Sequence, residues 1–172
     1  HENTPPLYYL IIKFFFIIFG YDYEILRIPN LIFHLLSIIF FFKILRKISS
    51  DSVFTYLAMM LFSLNSFLIS YVQEGRVFIF FCLTSLCFVD SYLYILKERN
   101  NIRILTYFIF FLFSFILLNT FIFSVIIIGS VFFYELFYKK KDKVYFIVNI
   151  VLIISIILSI IINIEFYKSI IG

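Results

Sequence analysis

A glutamine, a glutamate and an arginine crowd into four positions of an otherwise apolar stretch, residues 71–80, which reads YVQEGRVFIF. A carboxylate such as Glu74 can take a proton from a hydroxyl or an amine, and the planar fork of Arg76 suits a phosphate. Gln73 beside them can support the segment by hydrogen bonding. Residue types alone leave two readings open. The stretch is a polar joint between membrane spans, with Glu74 paired to Arg76 or Arg27, or it is half of an active site. Other polar groups stand at apolar entrances: His1 and Glu2 ahead of Tyr8 and Tyr9, and Arg27 just before Pro29, with Asp22 and Glu24 near enough in sequence to pair with it. Choosing requires the elements that carry these residues and the membrane face each one reaches.

The composition sets the class. The chain is 64% hydrophobic and 14% charged, with 27 Phe and no Trp, and its mean hydropathy is +1.11. A soluble domain would carry roughly a quarter charged residues. Several apolar runs approach the ~20 residues that cross hydrocarbon as a helix. These features give an all-α membrane protein, a polytopic helical bundle. The net charge of +4 sits in short breaks between apolar runs, so it carries no nucleic-acid signal. Cys82 and Cys87 would stand roughly 140° apart on one helix, a spacing for packing, not for a disulfide or a metal. No Walker loop, Rossmann fingerprint, zinc spacing or serine elbow is present.

Spacing divides the chain. The 13 residues 7–19 cover only about 20 Å as a helix, and Tyr8 and Tyr9 favour headgroup depth, so this is an interfacial helix ended by Gly20. Spans follow at 29–45, 52–72 and 77–96, separated by KILRKISSD, QEGR and KERNNIR. The 35 residues 104–138 would measure about 52 Å as one helix, well beyond a ~30 Å core. A turn at Asn119-Thr120 splits them into spans 103–118 and 121–138. A last span runs from Val144 to Ile164. The expectation is about six transmembrane helices and one interfacial helix. The chain starts without methionine on a polar segment, and no signal peptide is visible. Residues 1–172 are expected to be one part of a single transmembrane domain, with a first span upstream and a C-terminal remainder beyond.

Charge fixes the orientation. With the turn at Asn119-Thr120, Lys43, Arg46, Lys47, Lys97, Arg99, Arg103, Lys139, Lys140, Lys141 and Lys143 share one side, against Lys13, Arg27, Arg76 and Lys168 on the other. Lysines and arginines concentrate on the cytoplasmic side. The QEGR joint, the TPP segment and residues 21–27 are therefore all expected on the extracytoplasmic face.

The order of these segments resembles a known family. TPPLYYLIIKFFFIIFG, then EILRIPNLIF, then SFLISYVQEGRVFIF are similar to the membrane glycosyltransferases of the protein O-mannosyltransferase and aminoarabinose transferase type, which have the GT-C architecture. Their pattern is a His-Pro-Pro-Leu-Tyr-Tyr segment, a surface helix ending in Gly, an Arg-x-Pro at a span entrance and a Gln-Glu-Ala-Arg loop after the next hairpin. The resemblance extends to residue 103; beyond it only the hydrophobic layout agrees. Thr4 stands where the family has His, although His1 lies just upstream. Gly75 replaces Ala, an exchange expected to be harmless, and His34 replaces a smaller residue. The family's first-loop acid would precede His1.

The resemblance implies transfer of a sugar from a polyprenyl-phosphate-linked donor to a lipid, glycan or protein acceptor at the extracytoplasmic face of a prokaryotic plasma membrane. It casts Glu74 as a catalytic carboxylate, Arg76 and Arg27 as phosphate contacts, and Gln73 and Tyr8 as support. A divalent metal ion, Mg or Mn, is an implied cofactor, with Glu2 and His1 as candidate ligands. Membrane lipids are the other expected partner, and nucleic acid is not one. Two rivals remain: a transporter or flippase of lipid-linked sugars, and a non-catalytic membrane subunit. A transporter places polar, broken helices at mid-membrane, whereas these spans read as continuous with polar groups gathered at one surface. Away from that surface, His34 reads as a packing histidine. Asp90, which has Tyr94 at i+4, is expected to pair near the inner surface.

Overall fold

The computed structural model describes residues 7–98, 102–121, 123–137 and 143–171. All its elements are helical: α1 (Leu7–Phe19), a 3-10 turn (Tyr23–Leu26), α2 (Arg27–Ile48), α3 (Ser52–Ser63), α4 (Ser66–Glu74), α5 (Val77–Lys97), α6 (Ile104–Leu118), α7 (Ser124–Phe137) and α8 (Lys143–Ile171). Among the described residues, four helical stretches are long and apolar enough to cross a membrane: Glu24–Ile48, Ser52–Glu74, Val77–Lys97 and Lys143–Ile164. The chain is a helical membrane protein. Helices α6 and α7, of 15 and 14 residues, measure only about 21–23 Å at 1.5 Å per residue.

Local chemistry explains the boundaries. Gly20, at φ 98°, ends α1 in a conformation that suits glycine best. Pro29 falls in the first turn of α2, where a missing N–H breaks no intrahelical bond. Asp51 caps α3 by accepting from the Val53 and Phe54 amides at 2.9 and 3.4 Å. The stretch expected as one span, 52–72, is broken at Leu64-Asn65. Asn65 leaves the helical conformation (φ −63°, ψ 113°), and its side chain accepts from the Phe67 and Leu68 amides at 3.0 and 3.2 Å. It caps a new helix, a role for which asparagine is among the best residues. The split after Leu118 lies where the hairpin is expected, with Asn119 ending α6 and bonding back to the Phe115 carbonyl at 2.8 Å.

Helix α5 lies at the centre, against α2 on one side and α6 on the other, and α8 covers α6. The main core joins Phe88, Ile95, Phe110, Leu117, Ile128 and Leu152. A second cluster, Tyr8, Ile12, Val77 and Phe80, seats α1 on the start of α5. Lipid tails give little hydrophobic drive to helix association, so close packing and polar contacts matter. The buried Ser114 and Ser155 hydroxyls meet at 2.7 Å between α6 and α8. Glu135, fully buried, accepts from the Tyr92 hydroxyl at 2.6 Å. Helix α3 leaves Val53, Phe54, Leu57 and Met60 exposed, the surface that lipid would cover.

Because α2 and α5 run the same way, their starts share one end of the bundle and their later turns share the other. At that other end Lys47 Nζ meets Asp90 Oδ1 at 2.6 Å, so the partner of Asp90 comes from the neighbouring helix, not from its own. His34 is buried and lies along the Phe62 ring. Cys82 and Cys87 are free thiols.

Candidate functional site

The QEGR segment is a tight helix–helix joint. Gln73 and Glu74 still belong to α4. Gly75 then turns left-handed, at φ 68° and ψ 35°. Its amide bonds to the Val72 carbonyl at 3.4 Å and the Arg76 amide to the Tyr71 carbonyl at 3.3 Å, the paired closure of a Schellman motif. Arg76 is extended and forms the N-cap of α5 without a side-chain cap bond. Arg76 therefore opens α5, whose first amides favour an anion, while its guanidinium turns to Glu74.

Gly75 fits for a second reason. A Cβ added there would overlap the Leu26 side chain, which comes from the turn before α2. The exchange of Ala for Gly is therefore not neutral in this chain: the positive φ favours glycine, and Leu26 would have to shift to admit a side chain. Among the described residues the two positive-φ positions are Gly20 and Gly75.

Three segments meet at this joint. The Tyr8 hydroxyl, from α1, donates to the Gly75 carbonyl at 2.6 Å. Asn30, from the first turns of α2, donates to the Tyr8 oxygen at 3.0 Å and to the Leu26 carbonyl at 3.3 Å. Arg27 Nε donates to the Gln73 carbonyl at 3.2 Å. The support at Gln73 thus runs through its main chain; its side chain is exposed. Asn30 is fully buried and Tyr8 nearly so. Burial pushes the Tyr8 hydroxyl up to about 12, so it stays protonated and donates.

Glu74 and Arg76 are exposed where Tyr8 and Asn30 are buried. Glu74 Oε2 lies 2.6 Å from Arg76 Nε, and the side chains are 47% and 52% exposed. An exposed pair is worth only about 0–1 kcal/mol, so a phosphate or an acceptor can displace either partner cheaply. The structure thus brings Tyr8, Arg27, Gln73, Glu74 and Arg76 to one joint. His1 and Glu2 lie outside the described residues. Among the described residues no group of three or more His, Cys, Asp or Glu could hold a metal ion, and Glu74 is bonded to Arg76. The described donors at the joint therefore do not make a metal centre.

Sequence reasoning passed over Asn30. The available signal was its place: an amide just inside an apolar span, directly after RIP, must find a hydrogen-bond partner when buried. The break at Asn65 also departs from the continuous spans that set enzyme against transporter. Asn65 is exposed and turned back onto its own helix, so the break presents no inward binding group.

No family model matches this chain, and no curated protein or solved structure matches it either.

Proposed function

We propose that this chain belongs to a polyprenyl-phosphate-dependent glycosyltransferase and supplies the part of its active site built around Gly75. In this reading the short α6 and α7 also cross, giving six spans with α1 on the membrane surface, and the joint faces the extracytoplasmic side. The observation that carries it is the convergence on Gly75. Tyr8, Arg27 and Asn30, far from it in sequence, lock the one turn that holds a carboxylate and a guanidinium at a helix start.

The chemistry follows from those two groups. The acceptor oxygen or nitrogen attacks the anomeric carbon of the donor sugar. The bond from that carbon to the phosphate oxygen breaks, and its electron pair leaves on the polyprenyl phosphate. Glu74 takes the acceptor's proton. Arg76, aided by the first amides of α5, holds the developing phosphate charge, and such fixed donors are worth more in a water-poor site than in bulk water. Arg27 lies within the same turn through its bond to the Gln73 carbonyl and keeps that turn in place.

The test is a transfer assay on the complete protein in vesicles with polyprenyl-phosphate-linked sugars. Glu74→Gln should abolish transfer while leaving expression and helix content unchanged. Turnover near wild type in that variant would overturn the assignment.

A further inference from the structure

At the end of the bundle away from Gly75, a cavity of about 320 Å³ opens between α5 and α6, lined by Asp90 and Tyr94 from α5 and by Arg103, Leu105, Ile109 and Phe113 from α6. Its two halves differ in chemistry. At the start of α6 its wall carries the cation Arg103, with Tyr94 of α5 also in the lining. Asp90 is already neutralised by Lys47 at 2.6 Å, whose ammonium also lies 5.8 Å from the centre of the Tyr94 ring. Arg103 is exposed and makes no ion pair among the described residues. It is also the N-cap of α6, with no side-chain cap bond over the first amides. Further along α6 the wall is apolar, and Leu105 and Ile109 are exposed.

Helix length adds an independent reason for an anion here. Helix α6 has 15 residues, about 22 Å against a ~30 Å hydrocarbon core. A short helix draws the bilayer toward its ends or draws its ends inward. Arg103 then sits where water is scarce and a counter-charge is worth most. A lipid phosphate is the anion available at that depth, and acidic lipids are enriched in the leaflet that meets basic loops.

We propose that this cavity holds one anionic phospholipid, its phosphate bound by Arg103 and the first amides of α6, and one acyl chain lying along Leu105, Ile109 and Phe113. The cationic mouth selects the headgroup, and the apolar wall restricts the occupant to a lipid, excluding free phosphate. This site is separate from the Gly75 joint; it rests on the six-span topology of the reading above and not on the transfer chemistry.

The test is lipid titration of the purified chain in detergent, followed by native mass spectrometry, with phosphatidylglycerol and phosphatidylcholine of identical acyl chains. One phosphatidylglycerol should bind roughly tenfold or more tightly than phosphatidylcholine, because both carry the phosphate but the choline cation is repelled by Arg103 at the cavity mouth. Arg103→Gln should erase that preference, and Lys143→Gln, on the exposed start of α8, should keep it. Ile109→Trp fills the acyl slot with every charge intact and should weaken both lipids, so it decides the matter even if the Arg103 variant fails to fold. Equal affinity for the two lipids, a preference that survives Arg103→Gln, or unchanged binding in Ile109→Trp would each overturn the proposal.

Discussion

Tyr8 and Gly75 are 67 positions apart, and the hydroxyl of the first donates to the carbonyl of the second at 2.6 Å. This bond ties the helix on the bundle's flank to the turn that carries Glu74 and Arg76. Asn30 completes it by donating to the Tyr8 oxygen. The turn is therefore held from two sides by buried groups, while its charged side chains pair with each other at the surface.

Removing either buried member strands the other. Tyr8→Phe and Asn30→Ala should each cost about 1–3 kcal/mol, the penalty for leaving a buried polar group unsatisfied. Because they share one network, the double variant should cost less than the sum of the two. Thermal unfolding in detergent checks both statements.

The same tyrosine gives a pH dependence. Its ordinary value is 10.0 and burial raises it to about 12, so the folded chain holds the phenol proton more tightly than the unfolded one. Its contribution to stability is intact below 10.0 and is lost as pH rises toward about 12. The fall in unfolding temperature over that window should be smaller in Tyr8→Phe than in the native chain. An identical fall in both would show that Tyr8 is not the group responsible.

Gly75→Ala should destabilise the joint by about 1–3 kcal/mol, the usual cost of forcing a side chain into a sparsely populated backbone conformation. Overlap with Leu26 adds to it. Leu26→Ala in the same chain should recover the steric part and leave the backbone part. A double-variant cycle read by thermal unfolding separates the two.

At the opposite end, Lys47→Met should cost roughly 1–3 kcal/mol, between the exposed and buried limits for an ion pair. The Lys47 and Asp90 side chains are 24% and 18% exposed. The cost is mostly that of leaving Asp90 unpaired, so adding Asp90→Leu should restore most of the loss. Denaturation of the single and double variants measures this directly.

The fold was legible where the physics is local. Gly20, Pro29 and Asn119 punctuate apolar runs, and each marks a boundary near the one found. The break at Leu64-Asn65 was not legible, because a lone asparagine in an apolar stretch reads equally well as a tolerated polar residue. Only its turned backbone makes it a cap. At the site, Glu74 and Arg76 stood out because charge is scarce in this chain. The role of Asn30 and the preference for glycine at position 75 depend on contacts with Tyr8 and Leu26. Sequence distance conceals such contacts. The partner of Asp90 was hidden in the same way, since Lys47 reaches it from a parallel helix.

In the function proposed here, the turn at Gly75 receives a lipid-linked phosphate. The most direct measurement is binding of a polyprenyl-phosphate sugar to the complete protein, compared among native, Glu74→Gln and Arg76→Ala forms. Arg76→Ala should weaken donor binding roughly tenfold or more, while Glu74→Gln binds the donor near normally and fails only in transfer. Native-like donor affinity in Arg76→Ala would contradict the claim.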